Sequence, residues 1–198
     1  MNARTWVIAV MVLSSVPALA DELAETGKHA PMFRLPVYNA KEVGATVVGL
    51  DRYVGSDAQD KQTRVVLLTF MASFCAPCKK EMPYLQSLYE KYSAKGLRIV
   101  SVSIDTEPEG QKQIDELIAK NHVTYPVLKD RFNLVARRWL GTRSPLPSVF
   151  LVKPDGTIAS SHRGYSKDIA ELLEGEVLAA LGIGAPAKPA NTAATTPP

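Results

Sequence analysis

Six consecutive residues, Val65-Val66-Leu67-Leu68-Thr69-Phe70, are almost uninterruptedly apolar. A run this short and continuous is the pattern of a strand buried on both faces. The period then changes: Tyr84, Leu85, Leu88, Tyr89 and Tyr92 recur at helical spacing until Lys95-Gly96 supplies a stop. A second apolar strand is predicted over 97–104, and a helix over 108–120 with Ile114, Leu117 and Ile118 on one face. A short strand over 125–128 and a helix over 132–140, ended by Gly141, follow. Asp155-Gly156 between the apolar run 148–152 and the segment 157–164 reads as a hairpin. The last helix, 167–181, turns Ile169, Leu172, Leu173, Val177 and Leu181 inward. The order is βαβα, then ββα, which predicts an α/β fold around a central sheet.

The two ends of the 198-residue chain depart from this pattern. At the start, Arg4, an apolar run from Trp6 to Leu13, and Ala18-Leu19-Ala20 read as a secretory signal over 1–20, cleaved before Asp21. The apolar run is shorter than the roughly 20 residues that span a bilayer, so a retained anchor is the alternative reading. No cysteine follows the run, which excludes a lipoprotein anchor. At the far end, 182–198 (GIGAPAKPANTAATTPP) has no hydrophobic period and is expected to be disordered. One domain, 21–181, remains, with no internal repeat. A formal charge of +3, with only Lys79-Lys80 and Arg137-Arg138 as basic pairs, gives no nucleic-acid footprint.

Both cysteines lie in Phe74-Cys75-Ala76-Pro77-Cys78-Lys79-Lys80-Glu81-Met82-Pro83, where the predicted central strand turns into a helix. A closed zinc site needs four ligands, and the only histidines, His29, His122 and His162, are far apart in sequence. A disulfide closing so short a loop removes only about 2 kcal/mol of unfolded-chain entropy, so it is a poor staple. Redox exchange fits the position best. Cys75, at the N-terminal end of a helix, has unpaired backbone N–H groups and the helix dipole to favour its thiolate, which makes it the nucleophile. Cys78, one turn in, suits the resolving role. Pro77 falls in the first helical turn, where its missing N–H costs nothing, and Pro83 lies one turn deeper, where it kinks the helix or serves packing. Glu81, three residues after Cys78, shares its face and is placed to take a proton from that thiol. From spacing alone the favoured reading of Glu81 is a solvated side chain paired with Lys79 or Lys80.

These residues resemble the thioredoxin-like fold and, within it, the exported TlpA/ResA-like thiol-disulfide oxidoreductases. The resemblance runs from Ala30-Pro31-Met32-Phe33 to the last helix, and its second specific motif is Ser144-Pro145-Leu146-Pro147-Ser148-Val149-Phe150. It implies a central mixed sheet flanked by helices, with an N-terminal β extension and an inserted strand and helix. It implies Cys75 as attacking thiol, Cys78 as resolving thiol, Glu81 as the tuning carboxylate, and Pro147 as the cis-proline facing the dithiol. Leu146, Phe74 and Pro77 would then line the substrate-binding surface around that redox disulfide. Three departures stand out: Phe74 and Met71 where the family commonly has Trp, and Thr69 where thioredoxins bury an Asp. The last leaves Glu81 as the candidate for the missing base.

Ala76-Pro77 places no cation between the cysteines, so the couple is expected to be reducing. Protein-disulfide reduction in an exported, periplasmic compartment follows, with apocytochrome c cysteines as one substrate class that the resemblance implies. No nucleotide- or flavin-binding fingerprint and no third cysteine is present, so no cofactor is expected and the electron donor is another protein. The resemblance implies a membrane thiol transporter of the DsbD/CcdA type. Three alternatives stay open: an oxidase of the DsbA type, a thioredoxin-fold peroxidase whose Pro/Thr pattern the residues before Cys75 lack, and a copper carrier using Cys75, Cys78 and His162.

Overall fold

The computed structural model describes residues 24–142 and 145–184. The leader expected at 1–20, the tail from 185 onward, and Ser144 of the second motif lie outside the described residues. The chain opens with β1 (Arg34–Pro36), a short helix α1 (Ala40–Val43) and β2 (Val47–Gly49), the two strands pairing antiparallel. This is the N-terminal β extension. Then come β3 (Val65–Met71), α2 (Ala76–Tyr92), β4 (Leu97–Ser103), α3 (Pro108–Lys120), β5 (Val127–Lys129), α4 (Leu134–Leu140), β6 (Ser148–Val152), β7 (Ile158–Arg163) and α5 (Lys167–Leu181).

The five-stranded sheet has the order β5-β4-β3-β6-β7, with β3, β4 and β5 parallel and β6 and β7 antiparallel to their neighbours. All seven residues of the central strand β3 are buried, which is what its nearly continuous apolar run predicts. Its side chains alternate: Val65, Leu67 and Met71 pack with α2, α3 and α5, and Val66, Leu68 and Phe70 pack with α4 and the N-terminal extension. The chain steps in one direction from β3 to β4 to β5, and crossovers of one hand put α2 and α3 on one face. The return to β6 on the other side of β3 carries α4 across the opposite face. There Trp139 packs against Phe150, Phe70 and Phe33, and its indole Nε1 donates to Pro31 O at 3.1 Å. The N-terminal segment is thereby fastened to the sheet. At the β5 edge Asn39 does the same, donating to Val123 O and Tyr125 O and accepting from Val127 N.

Helices α3 and α5 occupy the residues that the periodicity predicts. In α5 it is Ala170, Leu173 and Val177 that are fully buried, while Ile169, Leu172 and Leu181 are half-buried. Elsewhere the boundaries move. The strand expected over 125–128 is β5 at Val127–Lys129, because Pro126 has no N–H and contributes only its carbonyl, to Ser101 N. The helix expected from 132 begins at Leu134: Asn133 is left-handed (φ 54°), and the buried Asp130 carboxylate accepts from Leu134 N and Ala136 N, setting the start. Phe132 is left exposed in the preceding turn. Small shifts also extend β3 to Met71, end β4 at Ser103 and trim β7 to Ile158–Arg163.

Candidate active site

The C-terminal end of β3 delivers the chain into a turn, Ala72-Ser73-Phe74, closed by Cys75 N donating to Ala72 O at 3.1 Å. Cys75 is the N-cap of α2, with extended backbone, and its sulfur accepts from Cys78 N at 3.2 Å. Pro77 stands in the first turn, where no N–H is missed. The helix thus begins at the Cys75 sulfur, and an orphan backbone donor of the first turn points at it.

Cys75 and Cys78 are joined by a disulfide with their Cα atoms 5.3 Å apart. Cys75 keeps 8% of its surface exposed and Cys78 only 1%, so the outer sulfur belongs to Cys75. Phe74, 74% exposed, and the exposed Ala76 and Pro77 surround it. The Leu146-Pro147 peptide bond is cis. Because Ser148 pairs with Phe70 at the ends of β6 and β3, Pro147 stands at the level of Met71, beside the turn that leads to Cys75. Pro147 O accepts from Gly164 N at 2.8 Å, and Ser148 Oγ donates to Pro145 O at 2.7 Å, which fixes this loop. The sequence-selected residues Phe74, Cys75, Pro77, Cys78, Leu146 and Pro147 therefore gather at one end of the sheet.

Glu81 corrects the reading drawn from its spacing. It is 2% exposed rather than solvated, while Lys79 and Lys80 are exposed. The reason is the turn of α2: Cys78, Glu81, Met82 and Leu85 form the face that packs on the sheet, and Lys79 and Lys80 fall on the other. Thr69, on the α2 side of β3, donates its hydroxyl to Glu81 Oε2 at 3.0 Å, and Oε1 has no partner among the described residues. Burial pushes the Glu81 carboxyl up from 4.5 to about 7, and the Thr69 hydrogen bond offsets part of that rise. A carboxyl near neutrality is one that can take and give a proton under working conditions.

Sequence reasoning missed Asp105. This buried carboxylate, two residues past the end of β4, accepts from Ser73 N, Ser73 Oγ and Ser103 Oγ. It ties the turn before Cys75 to the neighbouring strand. Gly110 in the first turn of α3 is required there, since a Cβ would stand 2.5 Å from Asp105 Oδ1. The signal available in the sequence was an Asp directly after the apolar run 97–104; that this run ends level with the strand leading to the cysteines is a matter of register in the folded sheet. His162 is held by α5: its Nε2 lies 2.8 Å from Glu176 Oε2. His29 bridges to Thr157 and His122 stands in the turn after α3, so the structure does not gather the histidines.

Comparison with known proteins bears on this arrangement. The AhpC/TSA family model matches residues 26–161. The chain belongs to the AhpC/TSA family. Within it, the chain is 33% identical to the thiol-disulfide oxidoreductase ResA of Oceanobacillus iheyensis over 79% of this chain and 76% of that protein. The ResA of Bacillus subtilis is 27% identical over 78% and 80% of the two chains. A solved structure from Chlorobium tepidum, assigned as a thiol:disulfide interchange protein DsbE, superposes with a TM-score of 0.66 at 30% identity, covering 80% of this chain and 99% of that one. Peroxidoxin BcpB of Mycobacterium tuberculosis, at 19% identity and TM-score 0.60, shares the fold alone. This member of the AhpC/TSA family is a ResA-like thiol-disulfide oxidoreductase with a thioredoxin-like fold.

Proposed function

We propose that this oxidoreductase works as a reductase of disulfides in other exported proteins. Cys75 attacks the substrate disulfide, one substrate thiolate leaves, and Cys78 attacks Cys75 Sγ of the mixed disulfide to release the second. Glu81 accepts the Cys78 proton as that thiol becomes a nucleophile. The observation that carries the reading is the buried Glu81 carboxyl one turn behind Cys78, with no cation shifting it. Whatever stabilises thiolate makes a couple more oxidising. Here the Cys75 sulfur has backbone support from Cys78 N, but the titrating group that shares the buried face of the helix with Cys78 is the acidic Glu81, while Lys79 and Lys80 are exposed, which favours the disulfide and so a reducing couple.

The substrate surface is formed by Phe74, Pro77, Leu146 and the cis Pro147, where an extended segment can pair with the start of β6. Apocytochrome c thiols awaiting haem are one substrate class, and a membrane thiol transporter of the DsbD/CcdA type is the electron donor. Export rests on the leader at 1–20. Among the described residues no helix is long and apolar enough to cross a membrane.

Equilibrating Cys75/Cys78 with glutathione tests the direction of flow. A potential close to that of thioredoxin, about −270 mV, is expected, and one close to that of DsbA, about −120 mV, would make the protein an oxidase instead. Rapid stoichiometric consumption of peroxide would move it to the peroxidases. A Cys78→Ala variant, whose Cys75 mixed disulfide cannot be resolved, is expected to retain its substrate covalently.

A further inference from the structure

Thr69 is an odd choice for packing. Its side chain lies on the α2 face of β3 between Leu67 and Met71, is 1% exposed, and stands where Val would fill the same space without a polar atom to satisfy. Its Oγ1 donates to Glu81 Oε2 at 3.0 Å across the strand-helix interface. Among the described residues that is the one hydrogen bond Glu81 receives, since Oε1 has no partner. Cys78 shares the buried face of α2 with Glu81, and the ionisable groups that sense the carboxyl are Tyr84 on α2, Tyr125 ahead of β5 and Tyr165 ahead of α5, with Lys79 and Lys80 turned outward on the far side of the helix. The Tyr84 hydroxyl is committed to Ala170 O at 2.6 Å.

We infer that Thr69 is the positioning residue for proton transfer in the resolving step: it clamps Oε2 of Glu81, leaving Oε1 to exchange a proton with Cys78. The inference rests on the reading of Glu81 as the base given above. In the step, the Cys78 S–H proton passes to the Glu81 carboxylate and the Cys78 thiolate attacks Cys75 Sγ. The Cys75–Cys78 disulfide forms, the bond from Cys75 to the substrate sulfur breaks, and the substrate leaves as thiolate. Two electrons pass from the protein dithiol to the substrate disulfide, and Glu81 later yields its proton to solvent. The Thr69 bond favours the ionised carboxyl, so it also keeps Glu81 competent as a base at lower pH.

The reaction of the reduced protein with dithionitrobenzoate separates the steps. Attack by Cys75 releases one nitrothiobenzoate, and resolution by Cys78 releases the second. In Thr69→Val the pH midpoint of the second release is expected to move up by about one unit or more, with the rate at neutral pH about fivefold lower or more. Thr69→Ser, which keeps the hydroxyl, is expected to restore the wild-type profile. A Thr69→Val profile that coincides with wild type, or a Thr69→Ser profile as displaced as that of Val, overturns the positioning role. Glu81→Gln separates the two levels: if it slows the second release while Thr69→Val does not move the profile, only the positioning inference falls. If Glu81→Gln leaves the second release unchanged, the base assignment falls and takes the inference with it. Should Thr69→Val not fold, Thr69→Ala carries the same test, with Glu81 titrated by carboxyl ¹³C NMR; an unmoved or lowered midpoint overturns the inference.

Discussion

Glutamine at position 81 keeps the shape of the buried side chain and removes its titration, so Glu81→Gln isolates what burial of that carboxyl does to stability. Burial displaces the folded-state value from the ordinary 4.5 to about 7. Between those values the native protein holds a proton that the unfolded chain has released. The stability that Glu81 contributes is therefore fully present below 4.5 and is lost as pH rises through about 7. At about 1.4 kcal/mol per pH unit the loss comes to about 3 kcal/mol. Urea unfolding of the oxidised wild type and variant, each at pH 4.5 and at about pH 8, reads the change, because every other titrating group cancels in the comparison. With a slope of about 2 kcal/mol per molar urea, the midpoint gap is expected to shift by about 1.5 M in favour of Gln at the higher pH. A gap independent of pH would mean that Glu81 titrates at its ordinary value. It would then be in contact with water, and the account of the site built on its burial would be wrong.

Three further outcomes follow from the geometry. Phe74→Ala removes an exposed ring beside Cys75, so stability is expected to change by less than about 0.5 kcal/mol, while kcat/KM falls several-fold for a protein disulfide and not for dithionitrobenzoate; equal losses with both substrates would place Phe74 in the chemistry rather than in binding. Asp105→Ala leaves Ser73 N and Oγ without their acceptor, and about 2–3 kcal/mol of stability and part of the Cys75 attack rate are expected to go with it, by urea titration and first-phase release; a turnover rate equal to wild type would show that the turn holds its shape unaided. His162→Ala breaks the contact with Glu176 and is expected to lower stability by about 1–2 kcal/mol with turnover unchanged; tight Cu(I) binding by the reduced wild type that disappears in this variant would instead support the copper-carrier alternative.

What the sequence determined by itself was the part governed by local pattern. The nearly continuous apolar run ending at Phe70 announced a central buried strand, and the 3.6-residue period after Cys78 announced the helix, so the strand-to-helix position of the dithiol was readable from local pattern alone. The same holds for α3 and α5, whose amphipathic period begins and ends at clear signals. Local pattern failed where a distant group set the outcome. Asp130 reaches forward to cap α4 and moves its start past Phe132, and Pro126 delays β5 because the sheet needs its carbonyl and it has no N–H to give.

The site divides in the same way. Spacing assigned Cys75 and Cys78 their places, because three residues on one helix fix their separation whatever the rest of the chain does. Burial of Glu81 was decided only by tertiary structure. Spacing gives the angle of a side chain around its helix axis but not which side faces the sheet, and the neighbouring lysines made the solvated reading the favoured one. The contacts that give the site its chemistry, Thr69 to Glu81 and Ser73 to Asp105, span 12 and 32 residues of sequence. They exist because β3 alternates its side chains beneath α2 and because β4 ends level with β3. Strand register and helix docking are properties of the assembled sheet, and no window of sequence short enough to show a period contains them.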